Sequence, residues 1–183
     1  MMNTQTPGLV AYVSVDGQGE GLYITRGVSN LVTNEPVNKN NSFRMGSVSK
    51  PITSEAILIL ADENKIDVNK PISFYLPDLK IPSGDKITIR MLANMSSGLF
   101  SYTDDIGFWT TLANTKGQTI FTPKQILDIA FSLPNLFEPG SHYYYCNTDF
   151  ILLGLLITKV TGKSVSDVFN EKIFIPLGMK NTF

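Results

Sequence analysis

The period of the hydrophobic positions changes along the chain and divides it. "GLVAYVSV" at 8 to 15 and "LYITRGV" at 22 to 28 are short runs rich in β-branched and aromatic residues, joined by "DGQGEG". Two such runs around a Gly- and Asp-rich link predict a β-hairpin. From 47 to 64 the spacing changes. Ile52, Ala56, Ile57, Ile59 and Leu60 fall on most faces of a helix that ends near Asn64, which places that helix in the interior. Pro51 suits its first turn, where the missing N–H leaves no bond unmade.

Residues 66 to 90 are rich in Pro, Asp and Gly and read as a looped connection with one short turn of helix. "IRMLANMSSGL" resumes a helical pattern with Gly98 as its C-cap, and further helices are predicted near 123 to 132 and near 148 to 161, the latter ending at Gly162. An amphipathic piece, "SVSDVFNEKIFIPLGM", follows. The pattern predicts an α+β fold: an N-terminal β-hairpin from an incomplete antiparallel sheet, plus a mostly helical lobe. A lone pair of strands is marginal in water, so the sheet reads as unfinished.

Composition narrows the chemistry. Of 183 residues 43% are hydrophobic and 17% charged, which is globular rather than disordered. Fifteen basic against sixteen acidic residues, with no Lys/Arg cluster, argue against nucleic acid as a partner. A single cysteine, Cys146, and a single histidine, His142, leave no internal disulfide and too few ligands for a Cys/His zinc site, so neither metal nor cofactor is expected. The longest apolar run, "FILLGLLI" at 150 to 157, is too short to span a bilayer, and "MMNTQTPGLV" does not read as a signal peptide. The glycines at 17, 19 and 21 lack the βαβ setting of a dinucleotide loop.

Two motifs remain. Ser47 and Lys50 form an S-x-x-K pair at a predicted helix start, where both share a face and unpaired backbone N–H groups favour an alkoxide. The same residues also suit a plain serine N-cap beside a solvated lysine. Spacing cannot decide, since Ser83 and Lys86 repeat it inside the turn "PSGDK". The second motif is Tyr145 and Asn147 in "YYYCNTDF": a tyrosine near a lysine can relay a proton, and an asparagine amide can hold a substrate amide. An aromatic loop packed on the core, with Tyr143 and Tyr144, is the competing reading.

In order and wording, "FRMGSVSK", "MLANMSSGL", "EPGSHYYYCN", "LLGLLITKVTG" and "PLGMKNTF" resemble the serine β-lactamase and D-alanyl-D-alanine carboxypeptidase family. The resemblance runs from about Pro7 onward and looks closest to the class C β-lactamase and Streptomyces-type DD-peptidase branch, which includes esterases and D-aminopeptidases. It implies Ser47 as the acylated nucleophile, Lys50 as its proton acceptor, Tyr145 as general base and acid, and Asn147 as a substrate-binding residue. The implied activity is that of a serine hydrolase acting through an acyl-enzyme on D-Ala-D-Ala peptides, β-lactams or related amides and esters. The alternative is a chain of the same fold that binds or associates without turnover.

The resemblance also implies one partial domain over 1 to 183, with sheet strands in 1 to 46 and the helical lobe in 47 to 183. The family's third motif, Lys or His followed by Thr or Ser and Gly, is not found, so the chain reads as the N-terminal portion of such an enzyme. Self-association or a separately supplied C-terminal segment is therefore expected, besides a small-molecule or peptide substrate, and family habit points outside the cytoplasmic membrane. Cys146 stands where the family often has serine, which brings a thiol beside the site. A Ser-His-Asp hydrolase would have only His142 as base and lacks a G-x-S-x-G elbow.

Overall fold

A computed structural model describes residues 6–16 and 21–183, which fall into two compact units divided after Gly46. In the first unit, strands β1 (Gly8–Val13) and β2 (Leu22–Gly27) pair antiparallel with Gly8 opposite Gly27 and Tyr12 opposite Tyr23. The hairpin expectation is met. The Tyr12 and Tyr23 rings lie 4.6 Å apart, the kind of cross-strand pair that holds a register. Gly27 ends β2 at φ +79°, and a Cβ there would come within 2.1 Å of Pro7 O, so no other residue fits without a shift. The glycines at 17 and 19, in the link between the strands, lie outside the described residues.

The second unit is helical. Its helices are α1 (Ser49–Asp62), α2 (Ile72–Tyr75), α3 (Ile89–Ala93), α4 (Ile106–Asn114), α5 (Pro123–Phe131), α6 (Asn147–Thr161) and α7 (Val165–Phe169), the last running into a π-helical turn over Asn170–Phe174. Helix α6 is the axis of the core. Leu152, Leu153, Leu156 and Ile157 are fully buried on it and pack with Ala56, Ile57 and Leu60 of α1 and with Ile89 and Leu92 of α3. A helix apolar on most faces can be satisfied only where neighbours cover it on most sides, and α1 and α6 are the two such helices in this sequence.

One expectation needs correction, and one helix was not foreseen. Gly98 does not cap α3. The helix stops at Asn94, Met95 turns left-handed at φ 58°, and Gly98 takes φ +78° in the following turn, where a Cβ would lie 2.2 Å from Phe137 O. Helix α4 was not legible, since "IGFWTTLAN" has a stretch of β-branched and aromatic residues and no clear apolar stripe. It is started instead by Asp105, whose carboxylate accepts from the Phe108 N–H at 2.7 Å. Helix α6 begins at Asn147, in line with the start expected near 148, which makes Asn147 its first helical residue.

Candidate active site

Side-chain caps separate the helix starts into two kinds. Thr88, Asp105, Thr122 and Ser164 each accept a backbone N–H at the start of α3, α4, α5 and α7, and Thr122 forms a full capping box with Gln125. The one-turn α2, which follows Pro71, has no such cap, and neither have α1 and α6, whose N-cap positions are Val48 and Cys146. Ser47 sits one residue before the N-cap, in a 3-10 turn over Gly46–Val48, and its hydroxyl does not cap the backbone of α1. The N-cap reading of Ser47 is not met.

The Ser47 hydroxyl instead meets both other candidates. Lys50 Nζ donates to Ser47 Oγ at 3.1 Å, and the Tyr145 hydroxyl donates to the same atom at 2.7 Å across 98 residues of sequence. Lys50 also donates to Asn147 Oδ1 at 2.7 Å, and its ammonium lies 4.8 Å from the centre of the Tyr145 ring and 5.4 Å from that of Phe150. All four sequence candidates, Ser47, Lys50, Tyr145 and Asn147, thus converge within the helical unit. Lys50, and then Ser47, hydrogen-bond the Tyr145 hydroxyl and hold it below the ordinary phenol range, because both interactions favour the phenolate. Tyr145 is 42% exposed, so an approaching molecule can reach this corner.

Each piece has a local cause. Lys50 is the second residue of α1, which returns its side chain toward the turn that carries Ser47. Tyr145 and Asn147 flank the N-cap of α6, Asn147 as the first helical residue, and Cys146 between them, in extended backbone, points the other way: it is buried, with Sγ 3.5 Å from Leu99 O. Burial pushes that thiol up to about 12, so it is inert rather than a second nucleophile beside the site. The Asn147 amide is oriented by Thr103, whose Oγ1 accepts from Nδ2 at 2.8 Å and so leaves Oδ1 for Lys50.

Thr103 and Ser101, which accepts the Asn147 backbone N–H at 3.1 Å, were not found from sequence. They lie more than forty residues from Asn147, and no short motif links them. The competing candidates fall elsewhere. Ser83 is left-handed at φ 54° and accepts from Asn135, while Lys86 pairs with Glu138 at 3.5 Å, so the second S-x-x-K is a turn. His142 pairs with Ser141 at 2.9 Å and lies against the Phe137 ring. Among the described residues no group of His, Cys, Asp or Glu is arranged to hold a metal ion, and no helix is long and apolar enough to cross a membrane.

The chain as a whole has relatives among known proteins. The family model described as Beta-lactamase matches residues 1–183, and the chain belongs to that family. It is 32% identical to a D-aminopeptidase of Brucella anthropi over 97% of its own length and 33% of the relative's. It is 30% identical to Penicillin-binding protein 4* of Bacillus subtilis over 85% of its own length and 33% of the relative's. Among solved structures, a D-stereospecific amidohydrolase from Streptomyces sp. superposes with a TM-score of 0.82 at 32% identity, covering 95% of this chain and 50% of that one. The chain spans about a third of the length of these curated relatives.

Proposed function

We propose that the chain carries the acylating centre of a serine acyl-transfer hydrolase. The observation that carries this reading is the convergence on Ser47 Oγ of Lys50 Nζ at 3.1 Å and the Tyr145 hydroxyl at 2.7 Å, from the starts of two different helices. Tyr145, as the phenolate that Lys50 favours, takes the Ser47 proton as Oγ bonds to the substrate's carbonyl carbon. The ammonium of Lys50 holds the negative charge between phenolate and serine, and the backbone N–H of Ser47 at the start of α1 faces the oxyanion. Tyr145 then passes its proton to the leaving nitrogen or oxygen, the C–N or C–O bond breaks, and the acyl group stays on Ser47. Water, deprotonated by Tyr145, then adds to the acyl carbon; the bond to Ser47 Oγ breaks, Tyr145 returns the proton to Oγ, and the acid leaves.

Asn147 has one Nδ2 hydrogen on Thr103 and a second for a substrate carbonyl, which suits it to an amide-containing substrate. The substrate class is a D-Ala-D-Ala peptide, a β-lactam or a related amide or ester. Likeness to a D-aminopeptidase and a D-stereospecific amidohydrolase supports the amides of D-amino acids within that class.

Intact-mass spectrometry after incubation with a penicillin tests the reading. Opening the β-lactam expels no leaving group, so wild type should gain the whole mass of the drug, and Ser47→Ala and Lys50→Ala should gain none. A wild-type protein that takes up neither a penicillin nor a fluorophosphonate would refute it.

A further inference from the structure

Behind the reacting corner, residues 97–103 and 146–149 are joined by a seam of contacts. Ser97 Oγ donates to Asp149 Oδ1 at 2.6 Å and accepts from the Leu99 N–H at 3.1 Å. Cys146 Sγ reaches Leu99 O, Thr148 Oγ1 donates to Phe100 O at 2.8 Å and accepts from the Tyr102 N–H at 3.1 Å, and Asn147 is held by Ser101 and Thr103. One atom in the seam is left over: Asp149 Oδ2 has no hydrogen-bond partner, although the side chain is fully buried. An ionised oxygen so placed is costly, and the neutral carboxyl is favoured. Burial pushes Asp149 up to about 7, with the Ser97 and Cys146 side chains pulling the other way. Cys146, the titratable group among them, stays an uncharged thiol throughout the neutral range.

We propose that Asp149 is a proton-linked positioning residue for the Ser47 site: its neutral carboxyl, through Ser97, locks the 97–103 segment onto the start of α6 and so fixes the Asn147 amide that faces Lys50. Ionisation places an unpartnered negative oxygen in the seam, and the segment loosens to admit water. Thr103 then no longer holds Nδ2, and the amide loses the orientation that gives Oδ1 to Lys50. The sign for folding follows from the same shift. A carboxyl at about 7 when folded, against 3.8 ordinarily, is protonated in the folded chain and ionised in the unfolded one across that window. Its contribution to stability is therefore present at acid pH and lost as pH rises through about 7.

The positioning link can be read without any activity; its effect on acylation rests on the nucleophile reading above. The test follows the Asp149 carboxyl carbon and the Asn147 side-chain amide by NMR in the full chain across about pH 5 to 9, which brackets this carboxyl. It adds the rate of labelling by a fluorophosphonate in wild type, Asp149→Asn and Ser97→Ala. The Asn147 amide should shift with the same midpoint as the Asp149 carboxyl, and in Asp149→Asn that movement should vanish. Wild type and Asp149→Asn share any limb that comes from Tyr145, so the wild-type labelling rate relative to that of Asp149→Asn should fall above neutrality, by about tenfold at one pH unit past the midpoint, because the neutral fraction falls by that factor. Asp149→Asn keeps an oxygen for Ser97 and cannot ionise, which makes it the reference profile.

Ser97→Ala, checked for an unchanged circular dichroism spectrum, should label slowly at acid pH as well. An Asn147 amide that ignores the Asp149 titration, or a wild-type rate that keeps a constant ratio to that of Asp149→Asn across neutrality, would overturn the proposal. If Ser47 takes no label in any variant while the Asn147 amide tracks Asp149, the nucleophile reading fails and the positioning link stands.

Discussion

Helices α1 and α5 both start within a few residues of a hydroxyl, and the two hydroxyls have opposite fates. Thr122 is the N-cap of α5: its oxygen accepts the Gln125 N–H, and Gln125 returns the contact to the Thr122 N–H at 2.9 Å. Ser47 stands one residue before the N-cap of α1, and its oxygen collects Lys50 and Tyr145 instead. A hydroxyl that closes its own helix is spent on stability. One displaced by a single residue remains available for chemistry, and the helix start goes without a side-chain cap. Helix α6 repeats the arrangement, with Cys146 at the N-cap and Tyr145 and Asn147 on either side of it turned to the site.

The contrast can be broken by substitution. Ser47→Ala should abolish covalent labelling while changing folding stability by no more than about 0.5 kcal/mol, the usual range for a position that caps and packs nothing. A loss of a full capping contribution in urea denaturation would mean that Ser47 serves α1 after all. Tyr145→Phe should slow acylation by about a hundredfold to ten-thousandfold, the span of general-base catalysis. Since Lys50 and Ser47 favour the phenolate, wild-type acylation should also contain a limb that rises with pH at a midpoint below that of an ordinary phenol. That limb should be missing from Tyr145→Phe in a stopped-flow pH series.

Smaller effects sharpen the comparison from the other side. Asn147→Ala removes a hydrogen bond to a charged amine, worth about 1.5 to 3 kcal/mol, so acylation should fall by roughly tenfold to a hundredfold. Kinetics at a single pH are enough to check it. Thr122→Ala should cost about 1 kcal/mol of stability in thermal or urea melts and leave labelling at the wild-type rate. Equal labelling defects in Thr122→Ala and Tyr145→Phe would erase the distinction between the two kinds of helix start.

Much of this was legible in the sequence where local chemistry and burial agree. The hairpin, α1, α5 and α6 follow from short-range patterns: β-branched runs about a Gly-rich link, Pro in a first turn, "TPKQ" at the start of α5, and Gly162 at the end of α6, which it closes in a left-handed conformation. Helix α4 did not follow, because its start rests on Asp105 and its residues favour strands as readily. Gly98 misled because positive φ serves turns as well as helix ends, and here Phe137 O crowds the glycine.

At the candidate site, Ser47, Lys50, Tyr145 and Asn147, which the structure brings together, could be singled out because each belongs to a short motif. Thr103, Ser97 and Asp149 were not, because their parts depend on a seam between segments 44 to 52 residues apart. "SSGL" was visible as part of the resemblance, but nothing local tells that Ser97 turns inward to a buried carboxyl.

The chain offers a direct internal control for its central claim. It holds two S-x-x-K pairs, one at an uncapped helix start and one in a turn where Ser83 accepts from Asn135. Peptide mapping by tandem mass spectrometry after fluorophosphonate labelling would identify which serine carries the adduct. The account predicts a single modified residue, Ser47, with Ser83 unmodified. An adduct on Ser83 or another serine, with Ser47 untouched, would contradict it.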